Sequence, residues 1–119
     1  MRSDELYLRD ILLAADEITT FLVGFDRARF LQDRVMQRAI LQALTEIGEA
    51  ANHVSEDLKR RYPHVAWNDA RAFRNVAIHQ YFGIDWRIVW ATATVNISDL
   101  RPQIAAILDA EFPIDSAAP

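Results

Sequence analysis

Four polar side chains within eight residues form the part of the chain best suited to chemistry: Arg74, Asn75, His79 and Tyr81. A guanidinium keeps its positive charge and grips an anion through parallel N–H donors, and an imidazole exchanges protons near neutral pH. Neither a carboxylate pair nor a metal-ligand spacing accompanies them. The group therefore fits cleavage of an RNA phosphodiester by attack of the 2′-hydroxyl. In that reaction His79 transfers protons, Arg74 stabilises the developing charge, and Asn75 orients the phosphate or Arg74.

Helix geometry places a condition on this site. Arg74 and His79 are five residues apart, so on one helix they point about 140° apart with about 7.5 Å of rise between them. They serve one site only if the helix ends near His79, if the Arg74 side chain curls round, or if a second subunit contributes, which favours a symmetric homodimer. A structural interpretation stays open, in which His79 stabilises a helix C-terminus and Arg74 pairs with Asp69 or another acid.

Other reaction classes lack the residues they need. The three histidines include no His-Glu-x-x-His pair, and the chain has no cysteine. The three glycines are isolated, so no phosphate-binding loop is present. No serine has the Gly-x-Ser-x-Gly setting of a hydrolase. We therefore expect neither a metal nor a cofactor.

Charge is distributed unevenly along the chain. Residues 1–58 carry 6 basic and 11 acidic groups, residues 59–87 carry 6 and 2, and residues 88–119 carry 1 and 4, for a net charge of −4. All but one of the basic residues are arginine, which favours an anionic ligand on the middle segment, with arginine-rich codon usage as the alternative explanation.

The acidic net charge of the whole chain argues against indiscriminate nucleic-acid binding. DNA is not expected as a partner. The absence of a long apolar run, of a signal peptide and of cysteine predicts a cytoplasmic protein without a membrane partner.

Helical periodicity and the scarcity of glycine and proline predict an all-α fold, an up-down helical bundle of four main helices with short helical pieces. The first predicted helix starts at Ser3 or Asp4 and stops at Gly24, and a turn or short helical piece follows over 25–33. A second helix covers about Val35–Val54, Ser55 caps a short piece that ends at Tyr62-Pro63, and a third helix covers about 68–79. Asp85 caps the last helix, which Pro102 kinks or restarts after Ser98 or Asp99. We expect residues 1–112 to form one domain and residues 113–119 to form a flexible tail.

The second long helix carries polar residues with two open interpretations. Glu46, Glu49, Asn52 and His53 either face the cleft or a dimer partner, or belong to an ordinary solvated face. The small residues within 48–51 allow another helix to approach closely.

Two further arginines and the tryptophans also have two interpretations. Arg71 and Arg87 either guide the RNA backbone electrostatically or pair with acids. The three tryptophans fall at helical core spacing or at a helix start, which favours packing over stacking on bases.

The motif and four further segments carry a family resemblance. Arg74, Asn75, His79 and Tyr81 form the pattern Arg-x4-His-x-Tyr, with a polar residue directly after the arginine. The four segments, in order, are LYLRDIL (6–12), EIGEAA (46–51), RYPHVAW (61–67) and YFGIDWRIVW (81–90). On these residues, and over nearly the whole chain to about Leu108, the sequence resembles the HepT-like toxins, all-α ribonucleases of the higher-eukaryote-and-prokaryote nucleotide-binding (HEPN) superfamily.

The resemblance implies a dimeric helical bundle in which two Arg-His motifs face one another across a composite cleft. It implies a metal-independent endoribonuclease toxin of a type VII-like toxin–antitoxin system, which cleaves mRNA or tRNA. It also implies a minimal nucleotidyltransferase antitoxin (MntA-like) that silences the toxin by adenylylation of Tyr81. Two alternatives stay open: a non-catalytic nucleotide- or partner-binding module that docks the nucleotidyltransferase, and a chain that itself neutralises a toxic partner.

Overall fold

The computed structural model of the chain describes residues 2–79 and 83–114, and for 76–79 it describes the backbone alone. Every regular element in these stretches is helical, which confirms the all-α prediction. The helices are α1 (Asp4–Phe21), α2 (Arg27–Phe30), α3 (Arg34–His53), α4 (Glu56–Arg61), α5 (Trp67–His79), α6 (Trp86–Ala91) and α7 (Ile97–Glu111), with a π-helical turn (Thr92–Asn96) between the last two. No helix in the same stretches has both the length and the apolar character to cross a membrane. The predicted tail falls mostly at 115–119, outside the described residues.

Side-chain caps begin three of these helices where the sequence predicts them. Ser3, Ser55 and Asp85 accept backbone N–H bonds in the first turns of α1, α4 and α6. Gly24 has a φ of +78°, the left-handed conformation expected of a glycine that follows a helix. Helix α1 itself ends earlier, at Phe21, so Gly24 lies in the turn beyond the helix cap.

Helix α3 lies at the centre of the packing. It contacts both α1 and α5, and α1 also packs against α7. The largest fully buried side chains are Leu8, Ile11, Ile18, Phe30, Ile40, Ile47, Leu58, Ile97, Ile104 and Ile107. At roughly 1.5–3 kcal/mol for each buried side chain, this cluster holds α1, α3 and α7 together, and α5 packs against α3. The up-down arrangement and the homodimer stay predictions.

The tryptophans pack against the core, as predicted. Trp67 is buried at the start of α5. The rings of Trp86 and Trp90 lie with their centroids 6.4 Å and 5.4 Å from that of buried Phe30. This aromatic cluster fixes α6 against α2.

The last helical stretch differs from the prediction of a restart after Ser98 or Asp99. The irregularity is instead the π-helical turn, which lies before both residues, and α7 runs without a break from Ile97 through Pro102. Proline removes one helical hydrogen bond and leaves a carbonyl oxygen without its donor. Because Pro102 is exposed, water can bond that oxygen, and the helix continues.

Candidate active site

Helices α3 and α5 approach closely at Gly48. A Cβ atom on Gly48 would lie 2.6 Å from the backbone nitrogen of Arg74, 3.0 Å from its Cβ and 3.2 Å from the carbonyl oxygen of Ala70. Real Cβ atoms do not come this close to a backbone nitrogen, so any larger residue would displace α5. The predicted close approach at 48–51 is confirmed at this glycine, which sets the backbone position of Arg74.

The Arg74 side chain pairs with the residue that follows this glycine. Its Nη1 atom lies 3.5 Å from Oε1 of Glu49, with the two side chains 30% and 47% exposed. This separation is longer than the roughly 2.7–2.9 Å of a charge-assisted hydrogen bond, so the contact is an ion pair at the edge of the α3/α5 seam. Glu49 thus contacts Arg74 on α5, and its place at a cleft or a dimer partner stays a prediction.

One donor of Arg74 is buried without a partner. Its Nε atom is shielded from solvent, and within the part of the chain that the structure describes it meets no acceptor. A buried donor left without a hydrogen bond costs about 1–3 kcal/mol. An acceptor that binds Nε after a small movement of the Arg74 side chain would recover this cost. A phosphate oxygen is the acceptor that the guanidinium fork matches best.

The other motif residues lie on α5 or just beyond it. Asn75 is exposed next to Arg74. Helix α5 is unbroken from Arg74 to His79, so its backbone turns through about 140° between the two residues. The imidazole of His79 and the whole of Tyr81 lie outside the described residues, so their distances to Arg74 stay untested.

The two arginines predicted to guide RNA have different surroundings. Arg71 is exposed on α5. The guanidinium of Arg87 donates two hydrogen bonds of 3.2 Å to the carboxylate of Asp85. These bonds lower the pKa of the Asp85 carboxyl below its ordinary value. Arg71 therefore presents its charge to a ligand more freely than Arg87 does.

A groove of about 410 Å³ runs between α1 and α3 beside Glu49. At the groove, His53 stacks on Tyr7 with ring centroids 5.2 Å apart and planes 18° apart, and the exposed Glu46 accepts a 3.2 Å hydrogen bond from Gln42. Its walls carry four acidic side chains and one arginine. An excess of negative charge repels phosphate, so an anionic ligand would reach Arg74 from the α5 side of the ion pair.

Sequence reasoning predicted that Arg74 pairs with Asp69 or a solvated acid, without naming Glu49. The partner is the partly exposed Glu49, as the second alternative states, whereas Asp69 borders a different cleft, with His64 and Phe73. The available signal was the pair Gly48-Glu49 within EIGEAA. A glycine inside a helix marks a close neighbour, and the residue after it is well placed to reach that neighbour's side chains.

The family model and the relatives that match this chain all indicate the same family. Residues 11–107 match the family described as Ribonuclease HepT-like. A protein of Thermococcus cleftensis named "Probable ribonuclease HepT" is 37% identical over 100 residues, which cover 84% of this chain and 91% of that protein. A protein of Methanocaldococcus jannaschii named "Putative RNase" is 32% identical over 107 residues, 90% of this chain and 92% of that protein. A "Putative RNase" of Caldanaerobacter subterraneus is 31% identical over 111 residues, 93% of this chain and 99% of that protein. No solved structure matches the chain significantly.

Proposed function

The chain belongs to the HepT-like ribonuclease family, and we propose that it is a metal-independent endoribonuclease whose reacting groups are Arg74 and His79. The placement of Arg74 supports this proposal most directly. Gly48 fixes its backbone, Glu49 pairs with one end of its guanidinium, and its buried Nε has no acceptor among the described residues. An arginine with a fixed backbone position and unused donors is well suited to bind an anion.

The proposed reaction needs one base and one cation. The ribose 2′-oxygen bonds to the adjacent phosphorus while His79 accepts its proton, and the bond from phosphorus to the 5′-oxygen breaks. The imidazolium returns the proton to that leaving oxygen, which yields a 2′,3′-cyclic phosphate and a 5′-hydroxyl. Arg74 donates to the non-bridging oxygens as they gain charge, and Asn75 orients the phosphate or the guanidinium. The substrate is an RNA, either mRNA or tRNA.

We place the complete site between two copies of the chain. The angle of about 140° along α5 separates Arg74 from His79 of the same copy, whereas two facing helices can bring each arginine to the other copy's histidine. Mixing unfolded Arg74→Ala and His79→Ala chains and refolding them together tests this. Half of the dimers are then mixed, with one complete site each, so about a quarter of wild-type cleavage should return. If no activity returns, the site lies within one chain or the dimer is wrong.

Regulation is proposed at Tyr81. A minimal nucleotidyltransferase antitoxin (MntA-like) of a type VII-like toxin–antitoxin system in the cytoplasm transfers AMP from ATP to the tyrosine oxygen and releases pyrophosphate. The added phosphate carries bulk and negative charge two residues from His79. It therefore blocks the cleft and repels RNA.

Intact mass and RNA cleavage, measured on the same samples in EDTA, test activity and regulation together. The protein is assayed alone and after incubation with ATP and the nucleotidyltransferase. A mass gain in steps of about 329 Da per AMP at Tyr81, with loss of cleavage, is the expected result. No cleavage and no mass change in either sample would favour the non-catalytic docking module.

Variants test the assignment of the reacting groups. Arg74→Ala and His79→Ala should each abolish cleavage and growth arrest while the chain stays folded by circular dichroism. Arg60→Ala removes a cation from an exposed position on α4 and is the matched control, with wild-type cleavage. Cleavage that persists in both motif variants would overturn the assignment, and expression of each partner alone shows which of the two proteins is toxic.

A further inference from the structure

Two consecutive residues of α3 act on one residue of α5. Gly48 leaves room for the backbone of Arg74, and Glu49 reaches its guanidinium. Within the described part of the chain, Glu49 is the one carboxylate that pairs with Arg74, and no acceptor meets the Nε atom. The direction of the guanidinium therefore depends on a single charged contact.

This ion pair is poorly suited to a purely structural role. At 3.5 Å the two atoms are too far apart for a strong hydrogen bond, and both side chains are partly exposed to water. The ion pair between Arg101 and Asp16 is at least as exposed but shorter. Arg101 donates a 2.9 Å hydrogen bond from Nε to Asp16 and so joins α7 to α1. The contact to Glu49 leaves Nε of Arg74 unused and restrains one terminal nitrogen only.

The position of Glu49 indicates how its contact with Arg74 could affect phosphate binding. Glu49 lies on α3 and lines the acidic groove, on the side from which a phosphate is repelled. A carboxylate there attracts Nη1 toward α3 and so narrows the range of directions that the guanidinium samples. A guanidinium without this restraint would sample several rotamers and would lose entropy when it binds the transition state.

We propose that Glu49 is a positioning residue for Arg74, which it orients toward the reacting phosphate without touching the RNA. The proposal rests on the proposed ribonuclease function. Because Glu49 acts on the orientation of Arg74 and not on RNA capture, its loss should lower kcat more than it raises KM.

Glu46 provides a matched control. It is acidic, lies on the same helix three residues before Glu49 and borders the same groove, but among the described residues it accepts a hydrogen bond from Gln42 and forms no ion pair with Arg74. Glu46→Gln and Glu49→Gln therefore change the groove charge equally. An effect of long-range charge on RNA binding would appear in both variants, whereas an effect on Arg74 would appear in the second alone.

Steady-state cleavage of a short RNA in EDTA is measured for Glu49→Gln, Glu49→Ala and Glu46→Gln, with folding checked by circular dichroism. Loss of a partly exposed ion pair should lower kcat by about two- to fivefold in both Glu49 variants, with KM unchanged within the error of the assay. Glu46→Gln should match the wild type. If Glu49→Ala fails to fold, Glu49→Gln, which keeps the side-chain shape, decides the test.

Adding Glu49→Gln to an Arg74→Lys chain separates the positioning role of Glu49 from the ribonuclease function itself. Lysine has no planar fork to orient, so Glu49→Gln should cause little further loss there. Wild-type kinetics in Glu49→Gln, or faster cleavage with a lower KM, would overturn the positioning role while leaving the ribonuclease proposal intact. Full cleavage by Arg74→Ala would instead overturn the assignment of Arg74, and the role of Glu49 with it.

Discussion

Replacing Gly48 with alanine is expected to reduce RNA cleavage far more than it reduces stability. The new Cβ would lie 2.6 Å from the backbone nitrogen of Arg74, whereas ordinary contacts begin at 3.4 Å, so α5 must move outward by the difference, about 0.8 Å. A displacement of roughly 1 Å at a reacting group costs about 100-fold in rate, which predicts a loss in kcat of about 10- to 100-fold.

The stability change should be modest because two effects oppose each other. Crowding a packed contact costs about 1–3 kcal/mol. Alanine in place of glycine inside a helix gains about 1 kcal/mol. The expected net loss for Gly48→Ala is therefore about 0–2 kcal/mol, measured as the shift in free energy of unfolding in urea.

Gly24→Ala is the matched control for this variant. Gly24 has a φ of +78° and open space around its Cβ position, so alanine there strains the backbone without displacing a neighbour. The strain costs about 1–2 kcal/mol, similar to the loss expected for Gly48→Ala. Single-turnover cleavage should stay normal in Gly24→Ala. Wild-type kcat in Gly48→Ala, or an equal loss in both variants, would refute the reasoning.

Three further predictions concern stability and RNA binding. Hydrogen bonds to Glu111, first of all from Arg61, lower the pKa of its carboxyl from 4.5, so it stabilises the folded chain above that pH and loses this effect as pH falls through the lowered value. Glu111→Gln should accordingly be less stable near neutral pH, with a difference in unfolding midpoint that shrinks in acid. Ser55→Ala removes the cap of α4 and should cost about 1 kcal/mol in urea unfolding. Arg71→Ala should weaken RNA binding and reduce the slope of log affinity against log salt by about 0.7, with a smaller change for Arg87→Ala because a carboxylate already engages that guanidinium.

Local features of the fold could be predicted from the sequence because short-range chemistry decides them. A serine or aspartate before an apolar periodic run caps a helix by bonding the N–H groups of the next turn, and Ser3, Ser55 and Asp85 all do so. The core could be predicted for a related reason, since apolar side chains at 3.6-residue spacing can be buried together only on one helix face. Val35 is an exception, 81% exposed in the first turn of α3, where Met36 and Gln37 occupy the inward face instead.

Contacts between distant parts of the chain could not be predicted in the same way. Glu49 and Arg74 are 25 residues apart in the sequence. The helical pattern of α3 is compatible with either a solvated or a buried position for the Glu49 side chain. The choice depends on the angle and depth at which α5 crosses α3, and Gly48 determines that depth. The π-helical turn was missed for another reason. It depends on how α6 and α7 are joined over the core, whereas the sequence rule used was the local effect of Pro102.

The arrangement around Arg74 links the core of the protein to its proposed chemistry. Gly48 and Glu49 belong to α3, which the apolar core holds against α1, so the same packing that stabilises the fold also sets the position and direction of the arginine. A reacting group held by a rigid element loses little entropy in the transition state. Helix geometry turns five residues through about 140°, so an arginine held in this way favours the proposed site, in which a second copy of the chain supplies the histidine.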